Sequence, residues 1–273
     1  MKSEDFDLLS RLVRDRSGLV LTPDKSYLLE SRLMPVARKI GVKGLDELVV
    51  KLRQRSDASL ERLVVEAMTT NETLFFRDTK PFEQLTRLVL PNLLEKRAAK
   101  RQIRVWCAAA STGQEPYSIA IALKEEGAKV AGWKIELLGT DINLEVIERA
   151  RAAVYSQFEV QRGLPIKLLV KYFKQMDGDK WQLNQEIRDM VQYREFNLLH
   201  DMKSLGQFDV VFCRNVLIYF DQPTKAQVLE RIAELLPDDG VLYLGGAETV
   251  LGVTDRFEPI PNERGLYRPV RKK

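Results

Sequence analysis

The chain has 273 residues, of which 45% are hydrophobic and 30% charged, and it carries a net charge of +4. That balance excludes a disordered polymer, and no apolar run reaches the length of a membrane span. One histidine and two separated cysteines exclude an ordinary zinc site, so no metal is expected, and the small basic excess allows an acidic partner without establishing nucleic-acid binding. The start of the chain, Met1-Lys2-Ser3-Glu4-Asp5, lacks a signal-peptide core, so a cytoplasmic location is expected.

The first part reads as helices only. Ser3 is placed to cap a helix carrying Phe6, Leu9, Leu12 and Val13, with Gly18 after it. Thr22-Pro23 opens a second helix, with Leu29, Leu33, Val36 and Ile40 on one face and Gly41 as its stop; Pro35 should kink or shorten it. Leu45, Leu48, Val49 and Leu52 mark a third helix, and Leu60, Leu63, Val64, Ala67 and Met68 a fourth. A helical N-terminal domain over residues 1–72 follows.

Further on, strands alternate with helices, the pattern of a mostly parallel α/β sheet. Strands are predicted at 103–107, 135–139, 209–213 and 241–244, and helices at 116–125, 143–153 and 224–236. An antiparallel pair is predicted near Phe257 and Leu266. The turn Asp177-Gly178-Asp179 marks a small β subdomain inserted at about 155–196 in a sheet domain over 73–273. Cys107 and Cys213 end apolar strands and read as buried thiols. His200 has no glycine-flanked serine to serve, so a loop or core role is expected for it.

The first strand runs into Ala108-Ala109-Ala110-Ser111-Thr112-Gly113, and a helix starts near Glu115 with Pro116 early in it. Strand, small-residue loop and helix let a ligand lie against backbone in an open sheet. One glycine is too few for a dinucleotide fingerprint, and the Lys-Ser/Thr ending of a phosphate loop is missing. A nucleoside-type cofactor without polyphosphate fits, and S-adenosylmethionine answers that description. Asp141 ends the second strand, where an acid accepts from ribose hydroxyls. The other reading makes it the cap of the following helix; the loop upstream favours ribose.

Three segments together carry a resemblance: Thr70-Asn71-Glu72-Thr73-Leu74-Phe75-Phe76-Arg77, the run from Ala109 to Ser118, and Arg214-Asn215-Val216-Leu217-Ile218-Tyr219-Phe220-Asp221. In this order, behind a helical domain, the chain resembles the CheR-type methyltransferases that methylate glutamates of bacterial chemotaxis receptors. The resemblance implies a Rossmann-like S-adenosylmethionine-dependent methyltransferase domain with S-adenosylhomocysteine as product. It also implies cytoplasmic receptor helices as partners. Carried over by position, Asn71, Thr73, Arg77, Glu115, Asp141, the pair Asn197-Leu198 and the pair Asn215-Val216 match cofactor-site residues, and Tyr219 matches an active-site tyrosine. Gln114 departs from the pattern, because many members carry a second acid there.

The chemistry agrees with this set. An unperturbed glutamate has a pKa of about 4.3, so the acceptor is already an anion and no general base is needed. Arg77 can fix a carboxylate, the cofactor's or the acceptor's, through its planar fork, and Tyr219 can hydrogen-bond the acceptor. The plainer readings are a surface ion pair for Arg77 and a core aromatic for Tyr219. Lys25, Arg32 and Lys39 recur every seven residues with Arg38 beside them, either a solvated face or, as the resemblance implies, a receptor-docking stripe. A monomer without membrane insertion or nucleic-acid partner is expected. Capture of a receptor C-terminal pentapeptide by the β subdomain is left open. The competing functions are an amino-methyltransferase, against which the missing prolines after Asn215 argue, and a non-catalytic cofactor sensor.

Overall fold

The computed structural model describes residues 2–54 and 57–270. Two compact units result: Met1–Thr70 with Tyr219–Thr224, and Asn71–Ile218 with Lys225–Lys273. The first unit thus ends at Thr70, not at the expected residue 72, and takes in a short return segment. Backbone pairing explains the return. Leu19 bridges Phe220, the Val20 N–H donates to the Tyr219 carbonyl at 2.9 Å, and Arg14 pairs with Asp221 at 2.6 Å.

Among the described residues four α-helices build the first unit: α1 (Ser3–Ser17), α2 (Ser26–Lys39), α3 (Leu45–Gln54) and α4 (Ala58–Met68). Acids Glu4 and Asp5 open α1 and Arg14 and Arg16 close it, both favourable to the helix dipole. Its cap position is Lys2, without a side-chain capping bond, so Ser3 is the first helical residue and not the cap. Gly18 ends the helix at φ 78°, a left-handed position suited to glycine. Asp57 caps α4, its carboxylate accepting from the Ser59 and Leu60 N–H groups at 3.0 and 3.1 Å. Leu9, Val13, Leu29, Leu33, Leu48, Val64 and Met68 meet in the core.

Two expectations for this unit change. α2 is not shortened at Pro35; it runs on to Lys39. The basic stripe is also broken. Lys25 lies in a 3₁₀ turn (Pro23–Lys25) ahead of α2, so helical spacing does not carry it. Arg32 is half-buried, and its guanidinium donates to the Met68 and Thr69 carbonyls at 2.7 and 3.1 Å and to the Thr70 hydroxyl at 3.1 Å. It therefore closes the C-terminal end of α4, where carbonyls have no helical partner and a cation is favoured. Lys25, Arg38 and Lys39 are exposed.

In the second unit, α5 (Lys80–Gln84) and α6 (Leu90–Lys96) join through a π turn at Leu85–Val89. Pro91 has no N–H for the ladder, and the Leu90 N–H reaches the Leu85 carbonyl just before it. The strands of the large sheet are β1 (Gln102–Cys107), β2 (Lys134–Asp141), β6 (Val191–Glu195), β7 (Val210–Cys213), β8 (Val241–Leu244), β9 (Phe257–Pro259) and β10 (Leu266–Pro269). A small antiparallel sheet holds β3 (Val154–Ser156), β4 (Phe173–Gln175) and β5 (Lys180–Leu183). Among the helices are α7 (Gln114–Glu125), α8 (Leu144–Ala152), α9 (Gln157–Gln161), α10 (Ile166–Tyr172), α11 (Gln185–Arg188) and α12 (Gln222–Leu235).

The seven-stranded order is β6-β2-β1-β7-β8-β10-β9, parallel from β6 to β8 and antiparallel at β10 and β9. The chain moves outward from β1 to β2 and β6, then returns to the other side of β1 at β7. The strand order reverses there, so the loops after β1 and β7 flank a crevice. The inserted β subdomain is narrower than the expected 155–196, because β6 pairs with β2 and belongs to the large sheet. No helix among the described residues is long and apolar enough to cross a membrane.

Arg32→Ala is expected to destabilise the helical unit by about 1–3 kcal/mol, since it leaves terminal carbonyls without a charge-assisted donor. Arg38→Ala should stay within about 0.5 kcal/mol of wild type. Urea unfolding followed by helical circular dichroism compares the two; equal midpoints would remove the capping role.

Candidate active site

The crevice is built on three strand ends of the second unit. After β1, Ser111 takes a left-handed conformation at φ 49° and Gly113 at φ 95°. Only glycine fits at 113, where a Cβ would lie 2.8 Å from the Tyr193 hydroxyl and 3.1 Å from the Tyr117 ring. The loop is fastened to β2, with the Ala110 N–H on the Thr140 carbonyl at 2.9 Å and the Trp106 indole on the Thr140 hydroxyl at 2.9 Å. Gln114 is buried and accepts from the Thr112 hydroxyl at 2.7 Å, so the departure from an acid there is absorbed locally.

Asp141 sits at the tip of β2. One carboxylate oxygen accepts from the Ser111 N–H at 2.9 Å and the other from the Asn143 N–H at 3.0 Å. It does not cap the next helix; Asn143 does, accepting from the Glu145 and Val146 N–H groups. Burial pushes the Asp141 carboxyl above its ordinary range, against the backbone hydrogen bonds that favour its charge. The Asp141 carbonyl also accepts from the Phe196 N–H at 2.9 Å, which fixes the neighbouring Asn197 and the buried Leu198 beside this strand end. Asn71 joins the same cluster, its carbonyl accepting from the Ser111 hydroxyl at 2.7 Å. Thr73 is half-buried nearby in sequence.

A second cluster centres on a residue that the sequence analysis passed over. Arg214, 1% exposed, follows β7 and pairs with Glu115 in the first turn of α7 at 2.7 Å. Its other terminal nitrogen donates to the Arg77 carbonyl at 2.9 Å and to Asp78 at 2.6 Å. Phe76, Asp78 and Thr79 all have positive φ, and this strained turn is tied down by Arg214 and by the Phe76 N–H on the Ser118 hydroxyl at 2.9 Å. Burial raises the Glu115 carboxyl above its ordinary range, with Arg214 pulling the other way. The Arg77 side chain is half-buried and donates to the Glu72 carbonyl at 3.3 Å; no carboxylate among the described residues hydrogen-bonds it.

The third strand end carries Asn215 and Val216, half-buried, with Asn215 left-handed at φ 59°. Tyr219 belongs to the first unit, where its half-buried ring packs against the helical core. His200 is exposed in a loop, and Cys107 and Cys213 are buried free thiols.

Residues 71–266 match the family described as CheR methyltransferase, SAM binding domain, and residues 4–69 match CheR methyltransferase, all-alpha domain. The chain belongs to the CheR methyltransferase family. It is 40% identical to chemotaxis protein methyltransferase 1 of Pseudomonas aeruginosa over 268 residues, 97% of each chain. It is 38% identical over 265 residues to chemotaxis protein methyltransferase Cher2 of Pseudomonas putida, 96% of each chain. It is 36% identical over 268 residues to the chemotaxis protein methyltransferase of Vibrio parahaemolyticus, covering 97% of this chain and 96% of the other. It is a methyltransferase, and its cofactor is S-adenosylmethionine.

The residues present fit that cofactor. Asp141 is a buried acid whose two bonded oxygens keep lone pairs for further donors. Arg77 keeps a guanidinium without a hydrogen-bonded carboxylate, and the loop after β1 carries only small side chains up to Gly113.

Arg214→Ala leaves Glu115 buried without its hydrogen-bonded cation and is expected to cost about 3–5 kcal/mol. Adding Glu115→Gln should recover part of that loss, because no lone buried carboxylate remains. Guanidinium unfolding of the single and double variants measures this; an undiminished loss in the double variant would mean that Arg214 acts through Asp78, the Arg77 carbonyl or packing and not through Glu115.

Proposed function

We propose that this methyltransferase acts on glutamate side-chain carboxylates of chemoreceptor cytoplasmic helices, yielding glutamate 5-O-methyl esters and S-adenosylhomocysteine. The observation that supports this reading most is Arg77, a half-buried cation hydrogen-bonded to a backbone carbonyl. Its planar fork suits an anionic partner.

When bound, S-adenosylmethionine supplies a sulfonium-activated methyl group that an anionic oxygen takes directly. The chain's task is then placement. Asp141 accepts from the ribose hydroxyls, Asn197 and Leu198 border the adenine, and Asn71, Thr73, Glu115, Asn215 and Val216 complete the cofactor site. Arg77 orients a carboxylate. Fixing the acceptor oxygen in line and stripping its water lowers the barrier without proton transfer by the enzyme. An acceptor of this kind places the enzyme in the cytoplasm.

Incubation with radiolabelled S-adenosylmethionine and receptor cytoplasmic fragments, followed by mild alkali, tests the reading. Base-labile label is expected. Alkali-stable label would instead assign a methylamine product, and absence of label would leave a cofactor sensor. Arg77→Lys should fold normally and lose at least about tenfold in turnover, because an ammonium cannot make planar bidentate contact. Turnover near wild type in that variant would remove the bidentate role.

Docking falls to the exposed cations Lys25, Arg38 and Lys39, with Arg32 withdrawn from the stripe by its capping bonds. Exposed charges act mainly on encounter and are screened over about 8 Å at physiological ionic strength. Arg38→Glu with Lys39→Glu should raise the apparent KM for receptor fragments, flatten the salt dependence of the rate and leave cofactor affinity unchanged. Methylation rates at two salt concentrations check it; one shared receptor dependence would make these residues an ordinary solvated face.

A further inference from the structure

The loop after β7 has no secondary structure to hold its first residues, and Asn215 stands in the left-handed region at φ 59°. Asparagine is one of the few non-glycine residues that visit this region, and outside contacts hold it there. Glu248, beyond the end of β8, supplies them. One carboxylate oxygen accepts from the N–H groups of Asn215 and Gly245, both at 2.7 Å. The other accepts from the N–H groups of Val216 at 2.9 Å and Ile218 at 3.3 Å. A carboxylate has about four acceptor sites, and here four backbone donors use them. Gly245 completes the fit: a Cβ on it would lie 2.7 Å from the Asn215 side-chain nitrogen and 2.8 Å from the Glu248 carboxylate.

We infer that Glu248 is a positioning residue: its carboxylate sets the backbone of residues 215–218 and thereby the placement of Asn215 and Val216 toward the cofactor. This rests on the proposed assignment of Asn215 and Val216 to the cofactor site. Both oxygens must be acceptors for the arrangement to hold. A glutamine keeps the shape but turns an NH₂ toward two backbone N–H groups, so one pair of donors is left facing a donor. An aspartate keeps the charge but is one methylene shorter and cannot span all four donors.

The test uses the full-length chain with Glu248→Gln, Glu248→Asp, Gly245→Ala and Asn215→Ala. Calorimetry with S-adenosylhomocysteine, well below the unfolding transition, is combined with amide hydrogen exchange and steady-state kinetics. For Glu248→Gln, affinity should fall by at least about tenfold. Exchange should speed up in residues 214–219 while β7 and β8 keep their protection, and the KM for receptor fragments should not move. Glu248→Asp should lie between Glu248→Gln and wild type. A merely structural role would change stability without this split between cofactor affinity and receptor KM. If Glu248→Gln does not fold, Gly245→Ala carries the test, because its methyl group would press on both the Glu248 carboxylate and the Asn215 side chain and should give the same signature. Weakened binding in Asn215→Ala with wild-type affinity in folded Glu248→Gln, or in Gly245→Ala where that variant carries the test, overturns the inference alone. Wild-type affinity in Asn215→Ala overturns the underlying cofactor assignment, and the inference with it.

Discussion

The second unit depends on a buried ion pair between Arg214 and Glu115. An arginine with 1% of its side chain exposed has lost nearly all its hydration, and only strong local partners make that tolerable. Arg214, at the end of β7, finds them in two pieces of chain that are remote in sequence: the first turn of α7 and the turn at 77–78. In the low dielectric of the interior these charge-assisted bonds are stiff as well as strong. The strand order reverses between β1 and β7, so the pair locks together the two sheet loops that flank the crevice and the motif that carries Arg77. Phe75 reinforces that motif from the other side, its buried ring set edge-on to Tyr155 and Phe173 at 5.0 and 5.5 Å.

Around this lock, the same device appears twice. A carboxylate gathers the backbone N–H of a left-handed residue and of a second chain segment. Asp141 does it for Ser111 and Asn143, and Glu248 for Asn215 and its neighbours. A left-handed non-glycine residue costs of order 1–2 kcal/mol, and hydrogen bonds to a charged acceptor are worth about as much each, so the strained loops are held without regular structure. A glycine would adopt the same φ without strain, but it would also widen the conformations open to the loop.

What the sequence disclosed follows from which signals are local. The runs at β7 and β8 are continuous and apolar because those strands are covered on both faces, and β1 and β2 become fully buried toward their C-terminal ends; all four are legible as strands. β6 was misassigned to the β subdomain because it lies at the sheet edge and alternates, Val191 and Tyr193 buried, Gln192 and Arg194 exposed, without an apolar run. The helical stretch from Lys80 to Lys96 was missed, since Pro81 and Pro91 interrupt its pattern. The place of Asp141 at a strand tip is legible because the apolar run before it marks the strand. The roles of Arg214 and Glu248 are not, because each acts on partners far away along the chain, even though Arg214 opens the third motif. Arg32 shows the reverse error: helical spacing places a side chain on a face but does not say that the end of another helix waits there.

The distribution of charge also bears on the anionic acceptor proposed above. Asp141, Glu115 and Glu248 lie in one unit, and Glu248 raises the Glu115 carboxyl by its negative charge, so these two feel one another. Two unit charges 4 Å apart interact by about 4 kcal/mol at an effective dielectric of 20, enough to repel an incoming glutamate if these groups faced it bare. None does. Glu115 is neutralised by Arg214, and Asp141 and Glu248 are turned onto backbone N–H dipoles. Arg77 is left with a carbonyl partner and a charge that no hydrogen-bonded carboxylate compensates among the described residues. The acids that shape the cofactor loops can therefore be kept without turning the acceptor away, and the geometry of methyl transfer, not proton chemistry, becomes the demand that these loops must meet.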